Sequence, residues 1–415
     1  MTKTILYLSF KMEAHCFMNT LDQYISSKFP HICYRKSWGL SEKTMFKLGQ
    51  CAAIVQSIKY LPISPSVREN LLKVSLIKGA MATTAIEGNT LSEEEAVAVA
   101  EGEKLPESRE YLGTEVKNVL DALNQIFNET VKNNAVSYIS PELIKNFHGM
   151  IGKELGVHFE AIPGKFRENN VVVGTYRAPE YNFVSELMQR LCDWLKNEFK
   201  FRHDEEQDFL DAVIESIVTH VYVAWIHPFG DGNGRTARLL EFYLLLRGGM
   251  PNICSHILSN HYNETRSEYY RQLDHAGKTR QLTDFIDYAV QGFLDGLSDV
   301  LWNIQKHQMN NSWKNYVYDI FDAHKKINKP KRNRMRSLVL NLEFFKEYSL
   351  EEIQLINVDL AAQYKILSKR TIDRDVADLV SMGLMEMKGN KYISQISSLV
   401  KQLPTKRQIQ QKVSS

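Results

Sequence analysis

The chain has 415 residues, 44% hydrophobic and 24% charged, with a net charge of +2. That is ordinary for a globular protein of two or three domains, and it excludes an overall field drawing the chain to nucleic acid or membrane; any basic surface must be local. Five scattered cysteines (Cys16, Cys33, Cys51, Cys192, Cys254) contain no Cys-x-x-Cys pair, which fits reduced thiols in a cytoplasmic protein better than a disulfide framework or a structural zinc site.

The first sixteen residues, MTKTILYLSFKMEAHC, hold one short apolar patch broken by Ser9 and Lys11 and read as a poorly ordered leader. In TTAIEGNTLSEEE (83–95), Thr83 and Glu87 end a helix before Gly88, and Ser92 with Glu95 forms a capping box for the next. A carboxylate at a helix carboxyl end is mildly disfavoured, which points to a partner elsewhere. ENNVVVGTYRAPE (168–180) has three consecutive valines, a glycine and a proline and predicts a small hairpin or extended flap. FLDAVIESIVTHVYVAWI (209–226) places Leu210, Val213, Ile214, Ile217, Val221 and Ala224 on one helical face. It is nearly apolar all round at its end, so a central helix is expected, stopped by Pro228. RTARLLEFYLLL is a second helix, ending at Gly248–Gly249. All apolar stretches are expected to fall well below the roughly 18 residues of a membrane span.

HKKINKPKRNRMR (324–336) carries seven Lys or Arg and no acid and reads as a linker. Beyond it a compact helical unit closes with a hairpin at Gly389–Asn390, before a polar tail. The expected divisions are an N-terminal helical region (1–125), a core (126–300), a helical and basic linker (301–336), a carboxyl-terminal domain (337–397) and the tail (398–415).

The chemistry concentrates in HPFGDGNGRTAR (227–238). A helix ends at His227, a glycine-rich loop follows, and a new helix opens at Gly234–Arg235. Unpaired N–H groups at that helix start and close backbone approach at the glycines make an anion site. Arg235 and Arg238 share a face of the first turn, and two cations there imply a polyanion such as a di- or triphosphate. Asp231 would repel that ligand unless Mg²⁺ lay between them. His227, at the lip of the loop, is the natural general base.

The run resembles the Fic family signature, His-x-Phe-x-Asp/Glu-Gly-Asn-Gly-Arg-x-x-Arg, at every fixed position, and similarity extends over roughly residues 60–300. The resemblance implies a mainly α fold: a helical Fic core with a small β-hairpin flap. It implies transfer of a nucleotide, usually AMP from ATP, to a Ser, Thr or Tyr hydroxyl of a protein. His227 would deprotonate the hydroxyl, Phe229 anchor the loop and Asp231 hold Mg²⁺. Gly230 belongs to the same loop, Gly232, Asn233 and Gly234 would cradle the phosphates, and Arg235 and Arg238 would meet the outer ones. Val171, Val172 and Val173 lie in the family's target-docking flap. Tyr269 and Tyr270 fall where the family lines its adenine pocket, as base contacts or as core tyrosines; some relatives have an asparagine at the position of Gly277. Thr83, Glu87 and Gly88 satisfy the family's inhibitory pattern, Ser/Thr-x-x-x-Glu-Gly/Asn, in which Glu87 would pair with Arg238 in the place of the γ-phosphate. In some members the same glutamate serves removal of AMP.

Residues 358–394 look like a winged helix-turn-helix, with Ser368 capping a second helix whose start carries Lys369, Arg370, Thr371 and Arg374. Those four are candidate DNA contacts, diluted by Asp373, Asp375 and Asp378; a protein contact or a homodimer is the alternative. Three functions stay open: an autoinhibited adenylyltransferase acting on a protein hydroxyl, a DNA-binding regulator using the Fic core as a nucleotide sensor, or a Fic enzyme that removes AMP or transfers another nucleotide or phosphate-bearing group.

Overall fold

A computed structural model describes residues 21–200, 208–324, 327–396 and 399. The expected leader, Cys16 and, apart from Leu399, the expected tail lie outside them, as do Lys325 and Lys326 of the basic run and the side chain of Lys369. The chain divides between Trp302 and Asn303 into two units.

In the first unit, helical residues 21–28 precede α1 (Glu42–Tyr60), α2 (Pro65–Ala85), α3 (Glu93–Ala100), α4 (Glu110–Phe127) and α5 (Pro141–Ile151). A hairpin of β1 (Val172–Val173) and β2 (Tyr176–Arg177) follows, then α6 (Tyr181–Glu198), α7 (Phe209–Ile226), α8 (Asn233–Arg247), α9 (Ile257–Glu264), α10 (Arg266–Thr279) and α11 (Thr283–Ala323), whose latter part enters the second unit. The two strands are antiparallel, with Val172 opposite Arg177 and Val173 opposite Tyr176. The capping box forms as read: Glu95 N–H donates to the Ser92 hydroxyl, and Ser92 N–H to the Glu95 carboxylate at 2.8 Å.

α7 is the centre. Val213, Ile214, Ile217 and Val221 are buried, and so are Ser216, Thr219 and His220 on its other faces; Leu210 and Ala224 are half-buried. Each fully buried large apolar side chain contributes about 1.5–3 kcal/mol. Contrary to the expectation for apolar stretches, α7 is long and apolar enough to cross a membrane, the one such helix among the described residues. Burial explains it: 78% of the helix is enclosed by the protein, so its hydrophobicity belongs to a core. α8 packs along α7 and also meets α2, α4 and α5, and the buried Glu215–Arg247 ion pair joins the two central helices. Packing of α2 on α8 brings the Thr83–Gly88 segment to the start of α8.

The expected boundary at 125/126 falls inside α4. No division separates the two regions there, because α2 and α4 pack on α8.

The second unit holds α12 (Lys329–Asn341), α13 (Leu350–Gln354), α14 (Val358–Lys365), α15 (Lys369–Ser381) and a hairpin of β3 (Met385–Lys388) and β4 (Lys391–Ser394). Lys388 faces Lys391 across the Gly389–Asn390 turn, with Gly389 at φ +60° as that turn requires. The core gathers Trp313, Met335, Leu338, Val339, Leu360, Ile372, Val376 and Leu379. The expected linker is therefore corrected: most of the basic run is helix α12, and the unit begins at 303. Apolar residues at helical spacing override the basic composition, and two of the charges are paired within the unit. Arg334 Nε donates to Asp375 at 2.7 Å and Lys331 to Asp378 at 2.5 Å. Asp375, expected to dilute a basic surface, is buried and also accepts from the Tyr364 hydroxyl at 3.1 Å. Ser368 occupies the N-cap of α15, but its hydroxyl meets that of Thr371 at 3.0 Å instead of a backbone N–H.

Candidate functional site

A cavity of about 690 Å³ opens in the first unit. One wall is the loop and helix start around His227, Asn233, Gly234 and Arg238; Glu87 closes that end. The flap supplies Val173 to Tyr176, and α10 supplies Tyr269, Tyr270, Leu273, Asp274, Gly277 and Lys278. His31, Ala224 and Trp225 complete it.

His227 is the left-handed C-cap of α7, at φ +51° and ψ +61°, a conformation that costs a non-glycine residue about 1–2 kcal/mol. Arg167 stabilises it. Buried, its guanidinium donates from Nε to the His227 carbonyl at 2.8 Å, to the Asn169 carbonyl at 2.7 Å, and to the Pro179 carbonyl. Its own N–H donates to the Pro228 carbonyl at 2.9 Å. One side chain thus ties the histidine to both ends of the flap. The His227 Nδ1 lies 3.4 Å from the Ala224 carbonyl, which favours the proton on Nδ1 and leaves Nε2 as the acceptor. Burial pushes the imidazole down to about 4, only partly opposed by the Ala224 carbonyl, so it is neutral at pH 7 and can take a proton.

Phe229 is fully buried and stacked on His148, centroids 3.7 Å apart. The His148 Nδ1 accepts from the Gly164 N–H at 2.9 Å, so Nε2–H donates to the Asp231 carbonyl at 3.0 Å. Asn233 folds back on the loop, accepting from Phe229 N–H and donating to Phe229 C=O, both at 2.9 Å. Its amide shapes the loop.

The glycines divide by task. A Cβ on Gly230 would come 2.7 Å from the Glu160 carbonyl, and Gly232, at φ +75°, would meet Ile151 and Phe159 at 3.0 Å. Both permit close packing behind the loop, while Asn233 and Gly234 line the cavity.

The two arginines of α8 also part company. Arg235 is buried against Phe159, its guanidinium 5.3 Å from the ring, and donates to Glu115 at 2.6 Å and Asp231 at 2.8 Å. Here it braces Asp231, and two neighbouring carboxylates supply the anion that its burial demands. Arg238 faces the cavity. Its Nη2 donates to the Glu87 carboxylate at 2.6 Å and the Thr83 carbonyl at 2.8 Å, so the expected Glu87–Arg238 pair is present. Burial alone would raise the Glu87 pKa, but the Arg238 guanidinium outweighs it and holds the carboxyl below its ordinary value. The Arg238 Nε and Nη1 are buried without hydrogen-bond partners. A Cβ on Gly234 would collide with the Glu87 carboxylate: the acid sits against the first turn of α8, where an anionic ligand would be drawn.

Tyr269 is both wall and core: it lines the cavity, while its hydroxyl meets His220 Nε2 at 2.8 Å inside the protein. Tyr270 is exposed. In the flap, Val172 and Val173 are exposed, and the Val171 carbonyl extends the pairing by accepting from Ala178 N–H at 3.3 Å.

Sequence reading missed Arg167, His148, Trp225 and His31. Each has a partner far along the chain (His227 for Arg167, Asp231 for His148, Tyr176 for Trp225 and His31), beyond any local spacing; a lone arginine between Phe166 and Glu168 gave no signal.

Among the described residues no cluster of three His, Cys, Asp or Glu side chains could hold a metal. Asp231 alone fits only an ion that takes most of its ligands from phosphate and water, as magnesium does.

With this geometry in view, the comparisons are informative. Residues 138–245 match the Fic/DOC family model. Protein adenylyltransferase fic-1 of Caenorhabditis briggsae is 32% identical over 217 residues, 50% of this chain and 38% of that protein. The Caenorhabditis elegans protein is 30% identical over 215 residues, with the same two coverages. The match thus spans well under half the length of these relatives. Among solved structures, a Fic family protein from Desulfovibrio desulfuricans G20 has a TM-score of 0.52 at 18% identity, covering 87% of this chain and 98% of that one. Fic-1 of C. elegans has a TM-score of 0.50 at 24% identity, covering 63% and 73%. Both likenesses are of fold. His227, the loop that follows it and both arginines lie inside the stretch, residues 138–245, that matches the Fic/DOC family model.

Proposed function

We propose that this protein is an autoinhibited adenylyltransferase that moves AMP from ATP to a hydroxyl side chain of a protein. The observation that carries the reading is the Glu87 carboxylate on Arg238 at the start of α8, in the cavity that His227 lines. A buried guanidinium with two unpartnered nitrogens beside a helix amino end is a triphosphate site, and the protein's own acid fills it.

In the reaction, the His227 Nε2 accepts the proton of the target hydroxyl. The hydroxyl oxygen forms a bond to the α-phosphorus as the bridging bond to the β-phosphate breaks, and pyrophosphate leaves with that electron pair. Positioning and charge neutralisation dominate such transfers. Arg238 would meet the terminal phosphate once Glu87 is displaced, and the N–H groups of the α8 start would meet its neighbours. Asp231 would hold magnesium, which when bound neutralises phosphate charge. The exposed flap edge at Val172–Val173 would align a target strand by main-chain pairing. With Glu87 in place, ATP would bind with its α-phosphate turned from in-line attack.

For the second unit we propose a winged helix in which Arg370 and Arg374, exposed on the first turns of α15, contact phosphates of DNA. A protein partner or a second copy is the alternative.

Intact-mass spectrometry of Glu87→Gly protein with Mg²⁺ and each nucleoside triphosphate tests the enzyme reading, with His227→Ala in the same background as control. An AMP adduct on a hydroxyl residue, lost with His227, is expected. No adduct from any nucleotide, with tight salt-sensitive DNA binding, would favour a DNA-binding nucleotide sensor instead.

A further inference from the structure

Beyond the phosphate end, the cavity wall holds one fixed polar atom with nothing to bind. Trp225 is 4% exposed and lines the cavity. Its carbonyl accepts from the Tyr176 hydroxyl at 2.7 Å, and its ring packs against His31 at 4.9 Å and 78° and Tyr222 at 5.4 Å and 54°. The flap thus holds the residue's backbone, while His31 and Tyr222 pack the indole. An indole N–H enclosed by protein ordinarily has an acceptor; that of Trp225 makes no hydrogen bond among the described residues, and the side chain lines the cavity. It opens on the cavity.

The facing position on α10 is Gly277, where a Cβ would lie 3.6 Å from Trp225 Nε1. The glycine leaves that N–H uncovered. Several polar groups nearby are occupied: the Tyr269 hydroxyl meets His220, the Tyr176 hydroxyl is held by Trp225 and His31, and Asp274 pairs with Lys278 at 2.6 Å on the rim. Tyr270 and Leu273 beside them offer an aromatic face and an apolar edge, the surroundings a planar heterocycle takes.

We propose that Trp225 is the base-reading residue of this site: its indole N–H donates to a ring-nitrogen acceptor of a purine, in space that Gly277 keeps clear. The assignment rests on the nucleotide reading of the cavity. A fixed donor rewards an acceptor and rejects an edge that presents carbon or N–H.

The experiment measures dissociation constants of the full-length Glu87→Gly protein for ATP and its 1-, 3- and 7-deaza analogues, with and without Trp225→Phe. Phenylalanine keeps the ring and removes the donor. One deaza analogue is expected to bind about 5- to 10-fold more weakly than ATP, the size of one neutral hydrogen bond. Trp225→Phe should weaken ATP by a similar factor and bind that analogue and ATP equally, a coupling that a merely structural role would not produce. If all three analogues match ATP on the Trp225 protein, the proposal falls without recourse to a variant; it also falls if Trp225→Phe leaves ATP affinity unchanged or keeps the analogue's full penalty. If the Glu87→Gly protein binds no nucleotide, the reading of the cavity fails, and this inference with it.

Discussion

Helices α8 and α15 each carry two arginines near their starts, and they treat them in opposite ways. At the start of α8, Arg235 and Arg238 are buried, and each is matched by a carboxylate: Asp231 and Glu115 for one, Glu87 for the other. At the start of α15, Arg370 and Arg374 are exposed. The difference is solvent. Water screens a surface cation at little cost, whereas a buried one needs an anion at all times. A buried polyanion site must therefore be filled even when no ligand is bound, and an acid on a neighbouring helix is a natural occupant. On the proposed reading, inhibition would follow from keeping the empty site folded.

The comparison can be broken at several points. The largest effect is expected where one arginine stabilises backbone instead of charge. Arg167→Lys keeps the cation but loses the planar fork that grips three carbonyls. A misplaced His227 should lower the transfer rate constant about 100-fold with the KM for ATP little changed; steady-state kinetics in the Glu87→Gly background would show it.

The same burial predicts an acid limit. His31, His148, His227 and His256 are each pushed down to about 4 by burial, so the folded protein leaves them neutral while the unfolded chain protonates them near 6.5. The unfolded state then binds more protons, and stability should fall as pH drops from 6.5 toward 4. Glu87, its carboxyl held below its ordinary 4.5, contributes stability that is fully present above that value and lost as pH falls through its folded value. Melting temperature against pH checks both; a flat profile between 7 and 4.5 would contradict the neutral burial of these rings.

Removing the acid sharpens the contrast further. Glu87→Gly leaves Arg238 buried with only the Thr83 carbonyl, and should cost about 1–3 kcal/mol of stability; ATP should restore it by binding the folded state. Chemical denaturation with and without ATP reads this. At the other helix, Arg370→Ala and Arg374→Ala should change stability by less than about 0.5 kcal/mol while weakening any salt-sensitive DNA binding.

How much of this was legible in the sequence follows the same divide between local and distant. The helix–loop–helix at 227–238, the flap, the Ser92–Glu95 capping box and the Gly389–Asn390 turn were readable because each is written in a few adjacent residues. The Glu87–Arg238 pair spans 151 residues and was reached only through family resemblance to two separate motifs. Arg167 and His148 carry no motif: their partners are main-chain carbonyls and an N–H, which any sequence supplies. The basic run misled because composition was weighed above spacing; Met335, Leu338 and Val339 recur at helical intervals and bury α12.

The central claim is that Glu87 holds the place of the terminal phosphate. The most direct test is the initial rate of AMP incorporation, by intact mass, into the unmodified protein and Glu87→Gly at equal ATP and Mg²⁺. The account predicts a rise of about 5- to 150-fold, the usual span of such couplings. Equal and readily measured rates in the two proteins would contradict it.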